Sequence, residues 1–315
     1  MTEPTPLGLP QDYLPVRSPG RAAARLTHPN SWRTFAVPVL IATSALMAGC
    51  MPIPNPDKAI QATSQYLAGH QEQAADVLNK LPPPLVDRAV KLEFREYEKT
   101  NQPGVLMLTT SGGSALIWQE TDKRVIMVTV NHIFPKKPFH ELFASQPQKD
   151  TSGPFYKLLT ATSDQVQFIS MEGNPLGIVI FTKKNPSLRP SDSLSTKSMY
   201  PPLLAGDLDW KSASFPMLGF PGNADDNVQW FADNCYSGMG TPVVDDDGYT
   251  VFTLSCDSSN GGSGSPLMTQ DGQLAGFLQS GNDFGLVQAV PVAGEFFGQY
   301  LAPLLEQAGL NISPN

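Results

Sequence analysis

Histidine and cysteine are scarce in this chain of 315 residues, which holds four of the first and three of the second. Cys235 and Cys256 lack the further ligands that a metal centre would need, and no metal or other cofactor is expected. Charge is also thin, at 16% of residues with a net −8, so there is no basic surface of the kind that binds nucleic acid. The apolar run over residues 35–49 falls short of the roughly 20 residues a membrane-spanning helix needs. What the chain does have is 30 prolines and 26 glycines, a composition that favours turn-rich β structure over a helical bundle. Its length allows one large domain or two lobes, with an ample core.

Residues 1–33 are polar and proline-rich, carrying Arg17, Arg21, Arg25 and Arg33. The apolar run that follows has the length of a signal-peptide core. It closes in Leu46-Met47-Ala48-Gly49-Cys50, which resembles the lipobox of bacterial lipoproteins. That resemblance implies cleavage after a leader of residues 1–49 and acylation of Cys50, with export and a lipid tether to a bacterial membrane, facing the periplasm or cell exterior. An uncleaved signal anchor is the other reading. Residues 50–101 read as a linker and helical brace, with helices expected over 59–80 and 85–99 and Pro82-Pro83-Pro84 between them.

Strand patterns begin at residue 102. Residues 105–110, 114–119 and 124–130 are apolar or β-branched, with hairpin-type breaks expected at Ser111-Gly112-Gly113 and at residues 120–123. A second pair, 165–170 and 177–183, flanks the turn Met171-Glu172-Gly173-Asn174-Pro175-Leu176. Beyond a serine- and proline-rich stretch, further strands are expected around 214–219, 228–235, 249–256 and 274–281. Between the last two lies Gly261-Gly262-Ser263-Gly264-Ser265-Pro266, where glycine leaves main-chain N–H groups open around a serine.

This hexapeptide resembles the nucleophile loop of chymotrypsin-like serine peptidases, and its Ser-Gly-Ser-Pro form resembles the bacterial branch that includes the glutamyl endopeptidases. Val128-Thr129-Val130-Asn131-His132 resembles the strand that delivers the family's histidine, and Gly219-Phe220-Pro221 resembles the opening of its second barrel. The resemblance implies an all-β fold of two six-stranded antiparallel barrels, with a C-terminal helix. The peptidase domain would span 102–309, its first barrel 102–190, its second 210–292 and its closing helix 293–309.

It further implies Ser263 as nucleophile, His132 as base, and the Gly261 and Ser263 amides as oxyanion donors. Asp257, Gln279, Ser280 and Gly281 would contact substrate. In an exported protein Cys235 and Cys256 are expected to pair. The chain departs from the family at the triad acid, because Gly177, or Pro175 with the register moved by two, stands where an aspartate belongs. Glu172 or Asn174 in the neighbouring turn, a distant Asp192, Asp207 or Asp209, or a Ser-His dyad without an acid are the alternatives. The function expected is hydrolysis of protein or peptide substrates, against the alternative of an inactive peptidase-fold lipoprotein that acts as a binding scaffold.

Overall fold

Alternation and β-branching decide most of the architecture. In residues 89–99, Val90, Leu92 and Phe94 are buried while Lys91, Glu93 and Arg95 are only partly covered, which is the period-2 pattern of a half-buried strand. This computed structural model describes residues 78–99, 106–147, 156–183, 201–220, 231–237, 242–245, 247–256, 262–281 and 286–310. All of them belong to one unit, Ile53–Asn315. The leader, Cys50, most of the expected brace, Asp192, Asp257 and Gly261 lie outside the described residues.

The first sheet has seven antiparallel strands: β1 (Ala89–Lys99), β2 (Leu106–Glu120), β3 (Arg124–Val130), β4 (Glu141–Pro147), β5 (Tyr156–Thr162), β6 (Val166–Ser170) and β7 (Leu176–Thr182), in the order β5-β4-β1-β2-β3-β7-β6. The second comprises β8 (Ser214–Gly219), β9 (Phe231–Ser237), β10 (Val243–Val244), β11 (Thr250–Ser255), β12 (Pro266–Met268), β13 (Leu274–Gly281) and β14 (Leu286–Pro291), in the order β10-β11-β14-β13-β12-β8-β9. Pairing of β9 with β11 closes six of these strands into a ring, with β10 appended outside it. The fold is all-β and chymotrypsin-like, as the resemblance implies.

Two local expectations are corrected. Residues 85–99 are not one helix: α1 (Pro83–Arg88) is a short turn of helix, and the chain enters β1 at Ala89. Charged residues and good helix formers suggested a helix, but the strict alternation of apolar positions is what the sheet buries. Nor does Ser111-Gly112-Gly113 break a hairpin. It lies inside the continuous strand β2, paired with Leu92, Glu93 and Phe94 of β1. A Cβ on Gly113 would come within 2.6 Å of the Ser263 carbonyl oxygen, so the glycine permits a close approach of backbones and does not mark a turn.

One continuous apolar core crosses from the first sheet to Phe220, Met268, Phe277 and Val290 of the second. A smaller cluster inside the second barrel stacks Trp210 on Phe252, ring centroids 4.1 Å apart. The C-terminal segment passes through a wide turn, Phe297–Leu301, into α2 (Ala302–Gln307). Tyr300 in that turn is buried, and it accepts a hydrogen bond from each half: Asn174 Nδ2 donates to its carbonyl at 2.6 Å and Thr250 N to its hydroxyl at 2.8 Å. Cys235 of β9 and Cys256 at the end of β11 form a disulfide, with Cα atoms 4.5 Å apart.

Candidate active site

Ser263 sits in a tight turn built to be approached. Ser265 N donates to Gly262 O at 2.9 Å, closing a four-residue turn, and Gly264 takes φ +85° at its third position. Glycine reaches that left-handed value without the steric cost other residues meet. A Cβ there would also lie 2.0 Å from Ser114 O and 2.2 Å from Thr129 Oγ1. The turn is therefore clamped from both sides. Gly264 N and Leu278 N bond with Leu278 O and Ser265 O at 2.7 and 2.9 Å, and Ser114 N donates to Ser263 O at 2.8 Å.

Ser114, which no sequence motif marks, joins the two sides of this clamp. It is fully buried; its carbonyl accepts the Thr129 hydroxyl at 2.6 Å, and its Oγ accepts Phe220 N at 3.0 Å. Two strands of the first sheet and the entrance to the second barrel thus meet at one small polar residue.

His132 arrives on the far side of the same glycine. β3 ends at Val130 and a single 3-10 turn, Asn131–Ile133, presents the imidazole. Asn131 fixes that turn: its N–H donates to Pro175 O at 2.8 Å, and its side-chain amide donates to Asn174 O. A point one Cβ out from Gly113 is 2.6 Å from Ser263 O and 3.1 Å from Ile133 Cγ2. The serine turn and the residue after His132 are therefore neighbours across Gly113.

Ser263 and His132 make no polar contact with each other. Ser263 Oγ donates to Gln279 O at 3.0 Å, and among the described residues no hydrogen bond joins it to His132. No described acceptor takes the Ser263 N–H. His132 keeps an exposed face. Partial desolvation, followed by the nearby Lys136 ammonium, holds its pKa below the usual histidine value, and solvent at the open face screens both effects.

The place of the acid is filled by carbon. Gly177 pairs with Thr129 in the β3–β7 ladder, and a Cβ on it would lie 2.4 Å from Phe134 Cζ. The Phe134 ring packs on Phe168 at 4.8 Å, within a cluster that includes Phe94 and Phe139. Position 177 is glycine because an aromatic ring lies against it. Sequence could have signalled this through Phe134, two residues beyond the histidine, but only with the pairing register known.

None of the described alternative acids reaches the imidazole. Glu172 stands exposed in the β6–β7 turn, without a hydrogen bond or ion pair among the described residues. Asn174 is buried and committed to Tyr300 O and Leu176 N. Asp209 accepts bonds from Lys211 N and Ser212 Oγ in its own turn, and Asp207 lies against Gly294. Among the described residues no carboxylate bonds to His132.

The remaining sequence candidates lie on β13. Beyond Phe277 this strand has no β12 partner, so Gln279, Ser280 and Gly281 follow the segment bonded to the serine turn with no strand paired on that side among the described residues. Ser280 and Gly281 are exposed, whereas Gln279 is buried. Asp245, just after β10, was not singled out by the sequence; its Oδ2 accepts Gln279 Nε2 at 3.4 Å.

No family model matches the sequence, and no curated protein does. Among solved structures, the chain is similar to the Rv3671c protease of M. tuberculosis. The inactive form is 15% identical, with TM-score 0.47, over 74% of this chain and 95% of that one. The active form is also 15% identical, with TM-score 0.45, over 76% and 88%. The tobacco vein mottling virus protease is 16% identical, with TM-score 0.41, over 69% and 82%.

Proposed function

We propose that this protein is a serine endopeptidase whose reaction rests on a Ser263–His132 dyad. The observation that carries the reading is the convergence, around Gly113, of a clamped serine turn from the second barrel and the histidine turn from the first sheet, beside the open edge of β13. An extended peptide adds to such an edge through main-chain hydrogen bonds, which sets its carbonyl against the serine. In this reading the Ser263 hydroxyl leaves Gln279 O for His132 by a change between staggered χ1 wells when substrate binds. His132, whose lowered pKa favours the neutral imidazole, takes the proton as Oγ attacks and returns it to the leaving amine. The Ser263 N–H and, as the sequence resemblance implies, that of Gly261 hold the oxyanion, each donor contributing about 3 kcal/mol.

Without an acid to orient the imidazole, turnover is expected well below that of a full triad. Asn131, pinned by Asn174 and Pro175, supports the histidine turn in place of a carboxylate. Acylated Cys50, the export signal and a bacterial membrane anchor complete the proposal, on the lipobox residues alone. Asp257 belongs to it as a substrate contact on the same sequence grounds.

The filled acid position favours a second reading, a peptidase-fold lipoprotein that binds partners without cleaving them. Labelling of the full-length protein with a fluorophosphonate decides between the two. Labelling lost in both Ser263→Ala and His132→Ala supports the enzyme, and a folded protein that takes no label supports the scaffold.

A further inference from the structure

Gln279 carries a polar atom whose burial nothing in the described chain offsets. The residue is 9% exposed, and its Oε1 has no hydrogen-bond partner. Its two other polar ends are both engaged. The main-chain oxygen accepts the Ser263 hydroxyl at 3.0 Å, and Nε2 donates to Asp245 Oδ2 at 3.4 Å. An ionised carboxylate only accepts, so the NH₂ of the amide must face Asp245 and its oxygen must face elsewhere.

The backbone explains why this side chain is aimed away from the regular pleat. Leu278 pairs with Ala289 and Ser280 with Gln288, so Gln279 is the unpaired extra residue of a bulge. Bulges re-aim side chains, and they are common beside reacting groups. Because Gln279 O touches Ser263 Oγ, any group attacked by that hydroxyl lies within one glutamine side chain of the unpaired acceptor.

We infer that Gln279, oriented by Asp245, is a specificity-determining residue of the Ser263 site. Its Oε1 accepts a hydrogen bond from the substrate side chain next to the reacting carbonyl. The substrates it selects are peptides with an amide or ammonium group there, and carboxylate side chains are rejected. The inference rests on the reading of Ser263 as the nucleophile.

Two independent features set the direction. An acceptor left without a donor in a buried place is stabilised by any N–H that reaches it. Asp245, one amide group away, adds a negative charge that repels a carboxylate and attracts a cation. The contact at 3.4 Å is long for a hydrogen bond, so the amide can shift to meet a ligand at small cost. An apolar side chain of equal size leaves Oε1 unpaired and gains nothing from either feature.

The test uses the full-length protein, one sample labelled with a fluorophosphonate and a separate, unlabelled sample assayed on peptides that differ only in the residue before the scissile bond, glutamine, glutamate or leucine. Expected is a kcat/KM for glutamine about 10- to 100-fold above the other two. Asp245→Asn, which can face the amide with either its oxygen or its NH₂, should collapse the glutamine-to-glutamate ratio by about tenfold. Gln279→Leu should remove the advantage of glutamine over leucine. Equal turnover of all three peptides by a protein that labels at Ser263, or an unchanged ratio in Asp245→Asn, overturns this inference and leaves the nucleophile reading standing. A folded protein that does not label overturns both.

Discussion

A single aromatic side chain decides whether this site has a triad. Phe134 occupies the space into which an acid at position 177 would project, so the two positions must change together. Gly177→Asp alone forces a buried carboxylate against a ring and is expected to lower stability by about 1–3 kcal/mol. Combined with Phe134→Ala it gains room and a partner in His132, and kcat should rise toward the roughly 10⁴-fold that an oriented acid contributes. Thermal melting and peptide hydrolysis, measured on the single and double variants, check both expectations. No gain in the folded double variant would show that the histidine is not placed for acid support.

His132 gives a second prediction at the same scale. Its folded pKa lies below the ordinary value of about 6.5. A neutral base is therefore retained as pH falls past that value, and activity is lost only as pH drops through the lowered one. Lys136→Glu exchanges the neighbouring cation for an anion and should move the acid limb of the pH–rate profile upward. A limb that stays fixed in Lys136→Glu would mean that another group controls it.

At the scale of the element, the serine turn is held by close contact and not by intrinsic propensity. Gly264→Ala meets both a left-handed φ and backbone oxygen at 2.0 Å, and should cost at least about 2 kcal/mol together with all fluorophosphonate labelling. Gly173 also has positive φ, at +73°, but open space where a Cβ would go. Gly173→Ala should cost only the left-handed strain, about 1–2 kcal/mol, and leave labelling intact. Denaturant unfolding and labelling of this pair separate backbone strain from steric closure of the turn.

At the scale of the molecule, the proposed dyad requires the two halves of the chain to stay in register. Tyr300 accepts hydrogen bonds from Asn174 of the first half and Thr250 of the second, and Asn174 in turn holds Asn131 beside the histidine. Tyr300→Phe leaves the Thr250 N–H without its partner, and is expected to cost about 1–3 kcal/mol. Labelling should persist, since Asn174 donates to the main-chain carbonyl of residue 300, which phenylalanine keeps. The Cys235–Cys256 bridge closes a 21-residue separation, and its reduction should cost about 3 kcal/mol in the chain-entropy model. Urea unfolding with and without reductant measures this.

The sequence by itself determined the all-β class, the strands β3, β6, β7, β8, β9, β11 and β13, and the turn around Ser263, because period-2 burial and glycine-bearing turns are local properties of the chain; β4, β5, β10, β12 and β14 carried no such signal. It also marked Gly177 as a departure from the serine peptidase pattern. What stands in the acid's place was decided by the tertiary structure, since the β3–β7 register alone sets Phe134 against residue 177. The same holds for β1, whose alternation acquires meaning only once β2 and β4 flank it, and for Gly112-Gly113, which resemble a turn until another backbone is seen lying against them. Ser114, Asp245 and Tyr300 had no local signal at all. The bonds from Phe220 to Ser114, from Gln279 to Asp245 and from Thr250 to Tyr300 each join residues more than 30 apart along the chain, and contacts at that separation are fixed by packing, not by any pattern a single stretch can carry.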